Sequence, residues 1–246
     1  MTAAVTDQEI VGGYRDARAR MLAIVAELDE SSATRPVPAC PDWVVRDLLA
    51  HVTGIASDLT AGNRPRGGDT QTWLDAQVAD RRERSLAALA TEWRDSGTRF
   101  ETMIEAASDR LWGLAYDTVV HEHDLRGAIG RPGGRDEPAV RTAALLGMRI
   151  LEGDLASRGL PAFRLVVDGE VHVAGEGEPA LTLATSWFEA LRLLGSRRTT
   201  EEMAASPGFS GDLAGSLRGL VHMDLPVASL GESTLGGAPG QDAAHA

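Results

Sequence analysis

Apolar residues recur at helical spacing through the first two thirds of the chain and alternate at strand spacing in a short stretch beyond it. Ile10, Tyr14, Ala17, Met21, Ile24, Val25 and Leu28 lie three and four positions apart. That pattern predicts a first helix from Asp7, which can cap it, to about Asp29. The stretch SSATRPVPACP is rich in proline and small residues and reads as a loop. A second helix is expected to start near Asp42, after Pro41, because proline does not fit a helix interior and aspartate can accept from the free first-turn amides. Trp43, Val44, Leu48, His51, Val52 and Ile55 then share one face.

After the loop GNRPRGGDT, Thr70 can cap one long helix or a broken pair, through Leu74, Val78, Leu86, Leu89, Trp93, Phe100 and Ile104. A fourth helix is expected from about Leu111 to Ile129, stopped by GRPGG, and a fifth from about Glu137 to Ser157. The pattern changes after Gly159. FRLVVDGEVHVAG reads as two short strands around an Asp168-Gly169 turn, LTLAT as a third, and SWFEALRLLGS and TTEEMAAS as short helices. The predicted architecture is mainly α: a helical bundle over 1–158, a small α+β domain over 159–230, and a Gly-, Ala- and Ser-rich tail over 231–246 that is expected to be disordered.

Composition narrows the function classes. The net charge is −12 over 246 residues, and all 24 basic residues are arginine, without a basic cluster. Nucleic-acid binding needs a positive footprint, so no such partner is expected. No apolar run approaches the roughly 20 residues needed to cross a bilayer. MTAAVTDQEI lacks the basic start and apolar core of a secretory signal. The single Cys40 has no partner for an internal disulfide. A cytoplasmic protein without a membrane partner is expected.

Candidate chemistry lies on two of the predicted helices. His51 sits among core-facing residues, and a buried imidazole needs a partner for each ring nitrogen. In AYDTVVHEHDLRGAIG, the residues Asp117, His121 and Asp124 stand at i, i+4 and i+7, on one helical face. A carboxylate and an imidazole one turn apart can both reach one cation. With His51 from another helix they offer three N/O ligands, a set that suits zinc with a fourth position open to water or substrate. Asp124 is placed behind the ligands, orienting an imidazole. Spacing alone leaves a second reading standing, in which His51 is a hydrogen-bonded core histidine and Asp117–His121 a local pair. Glu122 and His123 point away from that face, toward solvent or a neighbouring helix.

These residues carry a family resemblance. CPDWVVRDLLAHVTG resembles a signature of the mycothiol-dependent maleylpyruvate isomerase family, in which a Cys-Pro-x-Trp-x-Val-x-Asp-Leu-x-x-His segment opens the second helix. DTVVHEHDLRGAIGRPG resembles its second signature, an acidic residue followed by His-x-x-Asp-Leu. WLDAQVADRRERSLAALATEWRDSGTRF and ALTLATSWFEALRLLGSRR are similar to its third helix and its smaller domain. The resemblance implies a DinB-like four-helix bundle that holds Zn2+, or another divalent metal, through His51, Asp117 and His121. It also implies mycothiol, the small thiol of many actinobacteria, as cosubstrate. This chain departs from the best-known members in having Asp117 where they have glutamate, one methylene longer.

On that resemblance the chain is expected to be an isomerase of a maleyl-type unsaturated acid or a thiol S-transferase, working as a monomer or weak dimer on a small organic acid or electrophile. Asp124 and Arg197 are the expected catalytic residues. Arg126 and Arg197 are expected to hold substrate carboxylates, since the guanidinium fork binds a carboxylate bidentately. Arg197 stands where the family's Gly-Arg turn falls, with Ser196 in place of the glycine, and Arg192 and Arg198 read as a solvated basic cluster at a helix end. Alternatives are a non-catalytic binding or regulatory protein on the same bundle, or a metal enzyme of specialised metabolism that does not use mycothiol. Cys40 is a minor candidate nucleophile, and Trp43 reads as core. His172, His222 and His245 have no paired ligand at useful spacing.

Overall fold

The computed structural model describes residues 5–65, 67, 69–220 and 225–232. Two compact units divide the described chain, one from Thr6 to Gly133 and the other from Gly134 onward with Val5. The division falls one helix earlier than the boundary expected at 158, so the fifth predicted helix belongs to the second unit.

The N-terminal unit is a helical bundle. Helix α1 runs Asp7–Ala26, α2 Val45–Thr60, α3 Thr70–Arg81, α4 Leu86–Ala106 and α5 Ser108–Ala128. Helix α1 packs on α4 and α5, and α2 packs on α3, α4 and α5. Tyr14, Met21, Leu48, Leu89, Trp93, Phe100, Ile104 and Leu125 form its fully buried interior. The indole N–H of Trp93 donates to the Tyr14 hydroxyl at 3.0 Å, so the largest core side chain buries its polar atom with a partner.

Several helix starts differ from the sequence reading by a residue or more, and each difference traces to capping. Thr6, not Asp7, caps α1, accepting from the Glu9 amide while Glu9 reaches back to the Thr6 amide. Asp69, not Thr70, caps α3, and Ser85 starts α4, so the third stretch is a broken pair. Asp42 caps nothing. Residues 37–43 fold into a tight loop in which Val37 N–H donates to Trp43 O and Trp43 N–H to Cys40 O. Helix α2 therefore begins at Val45, and the Asp47 carboxylate accepts from the Val44 amide. The loop before it also holds a 3-10 turn, Glu30–Thr34.

The second unit joins a long helix to a small mixed sheet, giving a small α+β unit after the bundle. Its elements are α6 Pro138–Arg158, β1 Phe163–Val167, β2 Glu170–Ala174, β3 Leu181–Ala184, α7 Trp187–Leu194, α8 Thr200–Ala205, β4 Phe209–Gly211 and α9 Leu213–Leu220. The sheet order is β2-β1-β3-β4, with β1 antiparallel to β2 and parallel to β3. Asp168 and Gly169 both take positive φ, 51° and 82°, the conformation a two-residue hairpin turn requires. The short β4 and the helix α9 have no counterpart among the expected elements. The residues from 233, and with them His222 and His245, lie outside the described residues. Among those described, no helix is long and apolar enough to cross a membrane.

Candidate metal centre

Helices α2 and α5 meet near their middles, and the contact brings His51 to the Asp117/His121 face. Nε2 of His51 lies 3.4 Å from Oδ2 of Asp117, and Nε2 of His121 lies 3.4 Å from Oδ1 of the same carboxylate. The two imidazole rings stand edge to face with centroids 5.0 Å apart. One ligand atom from each of His51, Asp117 and His121 lies within 4.8 Å of those of the other two. Bonds of about 2.0–2.1 Å to a tetrahedral ion place neighbouring ligand atoms about 3.3 Å apart. The carboxylate-to-histidine separations, each to a different oxygen, are close to that edge, and the three residues could hold a divalent cation. The shorter aspartate reaches both imidazoles.

Both histidines are buried, whereas the Asp117 side chain keeps 31% of its surface exposed. The group is therefore closed by protein on the histidine side and at Oδ2 of Asp117, and the remaining exposure lies elsewhere on the aspartate side chain. Burial acts to raise the Asp117 carboxyl, but His121 and His51 beside it outweigh burial and hold it well below the usual carboxylate range. For His121 burial acts downward, and Asp117, Asp124 and Cys40 outweigh it, raising the imidazole well above its ordinary value. The residues thus collect one negative charge and a strongly held proton at the place where a cation would replace that proton.

Asp124 stands behind His121. Its Oδ2 lies 3.0 Å from Nδ1, and the carboxylate is fully buried. A carboxylate accepts, so this bond keeps a proton on Nδ1 and makes Nε2, beside Asp117, the nitrogen that would give up its proton to a cation. His51 has no equivalent: its Nδ1 has no hydrogen-bond partner among the described residues.

Cys40, a minor candidate nucleophile by sequence, has no histidine near it along the chain. The tight loop before α2 nevertheless carries its Sγ to 3.8 Å from Asp124 Oδ2, forming a second close group of Cys40, His121 and Asp124. The two groups share His121 through opposite nitrogens, and the Asp124 bond already occupies Nδ1. Trp43, expected in the core, is only half-buried. Its ring sits 4.9 Å from the His51 ring and 5.7 Å from that of His121, walling one side of the group. The signal for both residues was their place in the loop signature, not their distance along the chain.

The expected arginines have partners within their own units. Arg126 donates to Glu122, with separations of 3.1 and 3.0 Å. Glu122 is completely buried and also takes a bidentate pair from Arg20, at 2.8 and 2.7 Å. It is the interhelical contact between α1 and α5. Arg197 belongs to the second unit, is buried, and donates to the Gly195 carbonyl at 2.6 Å. Arg192 and Arg198 are each only 1% exposed, which corrects their reading as a solvated cluster.

Comparison with known proteins follows this geometry. Residues 14–126 match the family model of the mycothiol maleylpyruvate isomerase N-terminal domain, a span that contains His51, Asp117, His121, Asp124 and Cys40. Two solved structures resemble the whole fold. One is a crystal structure of the mycothiol-dependent maleylpyruvate isomerase, at 17% identity and TM-score 0.57, covering 85% of this chain and 93% of that one. The other is a histidine-to-alanine variant of the same enzyme, at 15% identity and TM-score 0.58, covering 80% and 91%. No curated protein matches the chain. The chain is homologous to this family through its N-terminal unit, and its two-part architecture is shared with the solved structures.

Proposed function

We propose that this chain is a zinc-dependent enzyme that uses a small thiol, mycothiol, either to isomerise a maleyl-type unsaturated acid or to transfer the thiol to an electrophile. The reading rests on one observation above all: His51 and His121 meet the two oxygens of Asp117 at 3.4 Å each. Homology over residues 14–126 supports the choice of thiol and of reaction class. A zinc ion held there would lower the pKa of a bound thiol and keep it as a nucleophilic thiolate. In the isomerase form the thiolate sulfur adds to the activated double bond, the new single bond rotates, and the same sulfur leaves, so nothing is consumed. In the transferase form the carbon–sulfur bond stays, and either the electrophile's leaving group departs with the electron pair or the carbanion left by addition takes a proton from solvent.

The chain's own residues prepare this chemistry. Asp124 holds the Nδ1 proton of His121, so Nε2 would be the nitrogen that turns to a metal. Asp117 supplies the single negative charge, which leaves a zinc site with net positive charge that favours an anionic fourth ligand. Trp43 shields the histidines on one side, and this lowers the local dielectric and strengthens those interactions. Arg197 and Arg126 remain candidate substrate-binding groups, and Arg197 a candidate catalytic one.

The pairing of the arginines favours a second reading, a binding protein without catalysis. Arg126 is already held by Glu122, and Arg198 by Glu189. One experiment separates the two. Elemental analysis of the purified chain should give about one zinc per chain, and a thiol-addition assay with mycothiol and maleyl-type acids should lose turnover in His51→Ala and His121→Ala. Zinc retained without any thiol chemistry selects the binding protein. A metal-free chain with unchanged activity rejects the zinc enzyme.

A further inference from the structure

The loop before α2 and helix α5 bring a second set of metal-ligating atoms together on the far side of His121. Sγ of Cys40 lies 3.8 Å from Oδ2 of Asp124, and Nδ1 of His121 lies 3.0 Å from the same oxygen. One ligand atom from each of these three residues lies within 4.8 Å of those of the other two. An ion bonded to sulfur at about 2.3 Å, and to nitrogen and oxygen at about 2.0–2.1 Å, sets a tetrahedral S···O edge of about 3.6 Å and an N···O edge of about 3.3 Å. The observed separations are close to both edges.

Both halves of the set are held in place. His121 and Asp124 are buried one turn apart on α5. Cys40 is fixed through its backbone: its N–H donates to Val37 O at 2.9 Å, its carbonyl accepts from Trp43 N–H at 2.8 Å, and Pro36 pairs with Val44 across the base of the loop. The cysteine is half-buried, so an ion can arrive at the sulfur.

The donors differ in kind from those of His51 and Asp117 around Nε2. A thiolate is a soft ligand and selects thiophilic ions, whereas imidazole and carboxylate are harder. The charge balance differs as well. A divalent ion that replaces the Cys40 S–H proton and the Nδ1 proton of His121, both passing to solvent, is neutralised by thiolate and carboxylate together. A neutral set is the one that a buried position tolerates best.

We propose that Cys40, Asp124 and Nδ1 of His121 form a second metal site, selective for a soft divalent ion. The inference needs neither zinc at Nε2 nor the thiol chemistry proposed above. His121 is the one residue common to both groups, so His51→Ala disables the first group and leaves the second intact.

Cadmium is the probe. Cys40 is the single cysteine of the chain, so cadmium–thiolate absorption in the ultraviolet reports on this position alone. In full-length His51→Ala, stripped with chelator, the band should appear and saturate at one cadmium per chain. Adding Asp124→Asn should weaken cadmium by about 10-fold or more, the least that losing a group this close to a metal costs. A band that fails to form in His51→Ala overturns the proposal, and so does an affinity unchanged by Asp124→Asn, which would leave a thiol binding by itself. Should the double variant not fold, X-ray absorption at the cadmium edge of His51→Ala decides. Sulfur and an imidazole in one coordination shell support the site, and sulfur without an imidazole overturns it.

Discussion

Oδ2 of Asp124 lies 3.0 Å from Nδ1 of His121, one helical turn away and fully buried, while Nε2 of the same ring faces Asp117. That single bond assigns the two nitrogens of His121 different tasks. We predict that Asp124→Asn weakens zinc binding about 10- to 100-fold, the usual effect of removing a partner behind a metal-ligating histidine. Competition against a chromophoric chelator measures it. An unchanged zinc affinity in a folded variant would remove Asp124 from the site.

Asp117 is expected to need no lengthening. Its oxygens already stand 3.4 Å from each imidazole, so Asp117→Glu should bind zinc no more tightly than the wild type, and Asp117→Asn should lose most of the affinity with the negative charge. Tighter binding by the glutamate variant would show that the aspartate had been too short.

Metal binding should depend on pH with a definite sign. His121 is raised well above its ordinary value, against the pull of burial, by Asp117, Asp124 and Cys40. The metal-free site therefore holds a proton through neutral pH that zinc must displace. We predict that zinc affinity rises with pH across neutrality, and that titration calorimetry in buffers of different ionisation heat detects about one proton released per zinc. A pH-independent affinity between about 6 and 8 would contradict this assignment.

The chelator-treated protein should show the matching stability window. A raised histidine contributes stability that is complete below its unfolded value and is lost as pH rises through the folded one. A depressed Asp117 carboxyl contributes stability that is present above the ordinary carboxylate range and is lost as pH falls through its lower folded value. The metal-free form should therefore melt highest between about pH 4.5 and 6, and lower as the solution turns alkaline. Added zinc should flatten the alkaline decline. A metal-free melting temperature that instead climbs above pH 7 would exclude the coupled pair.

Glu122 should matter more to folding than its place on the helix suggests. It is completely buried between Arg20 and Arg126, whose side chains are 20% and 16% exposed. Removing one partner of a buried pair strands the other, so Glu122→Ala should cost about 3 kcal/mol in urea denaturation. Arg15→Ala, which removes a half-exposed partner of Glu101, should cost at most about 1 kcal/mol. Similar small losses in both would mean that burial adds nothing to the Glu122 network.

The sequence by itself determined the helices, the hairpin at Asp168-Gly169 and the face that carries Asp117, His121 and Asp124, because periodicity and turn chemistry are local properties. It also contained, in its two signatures, the pairing of His51 with His121. What it could not supply were the relationships that depend on where a loop turns and which helices touch. Asp42 looks like a helix cap, yet the backbone bonds of residues 37–43 delay α2 to Val45 and swing Cys40 to Asp124, 84 positions away. Glu122 and Arg192 look like surface charges because a charged residue is usually solvated. Only the packing of α1 on α5, and the approach of the 225–232 segment to α7, provide partners that let those charges be buried. The opening bond between Asp124 and His121 joins both levels. Helical spacing put the two side chains on one face, and burial in the folded bundle made their contact a choice of tautomer.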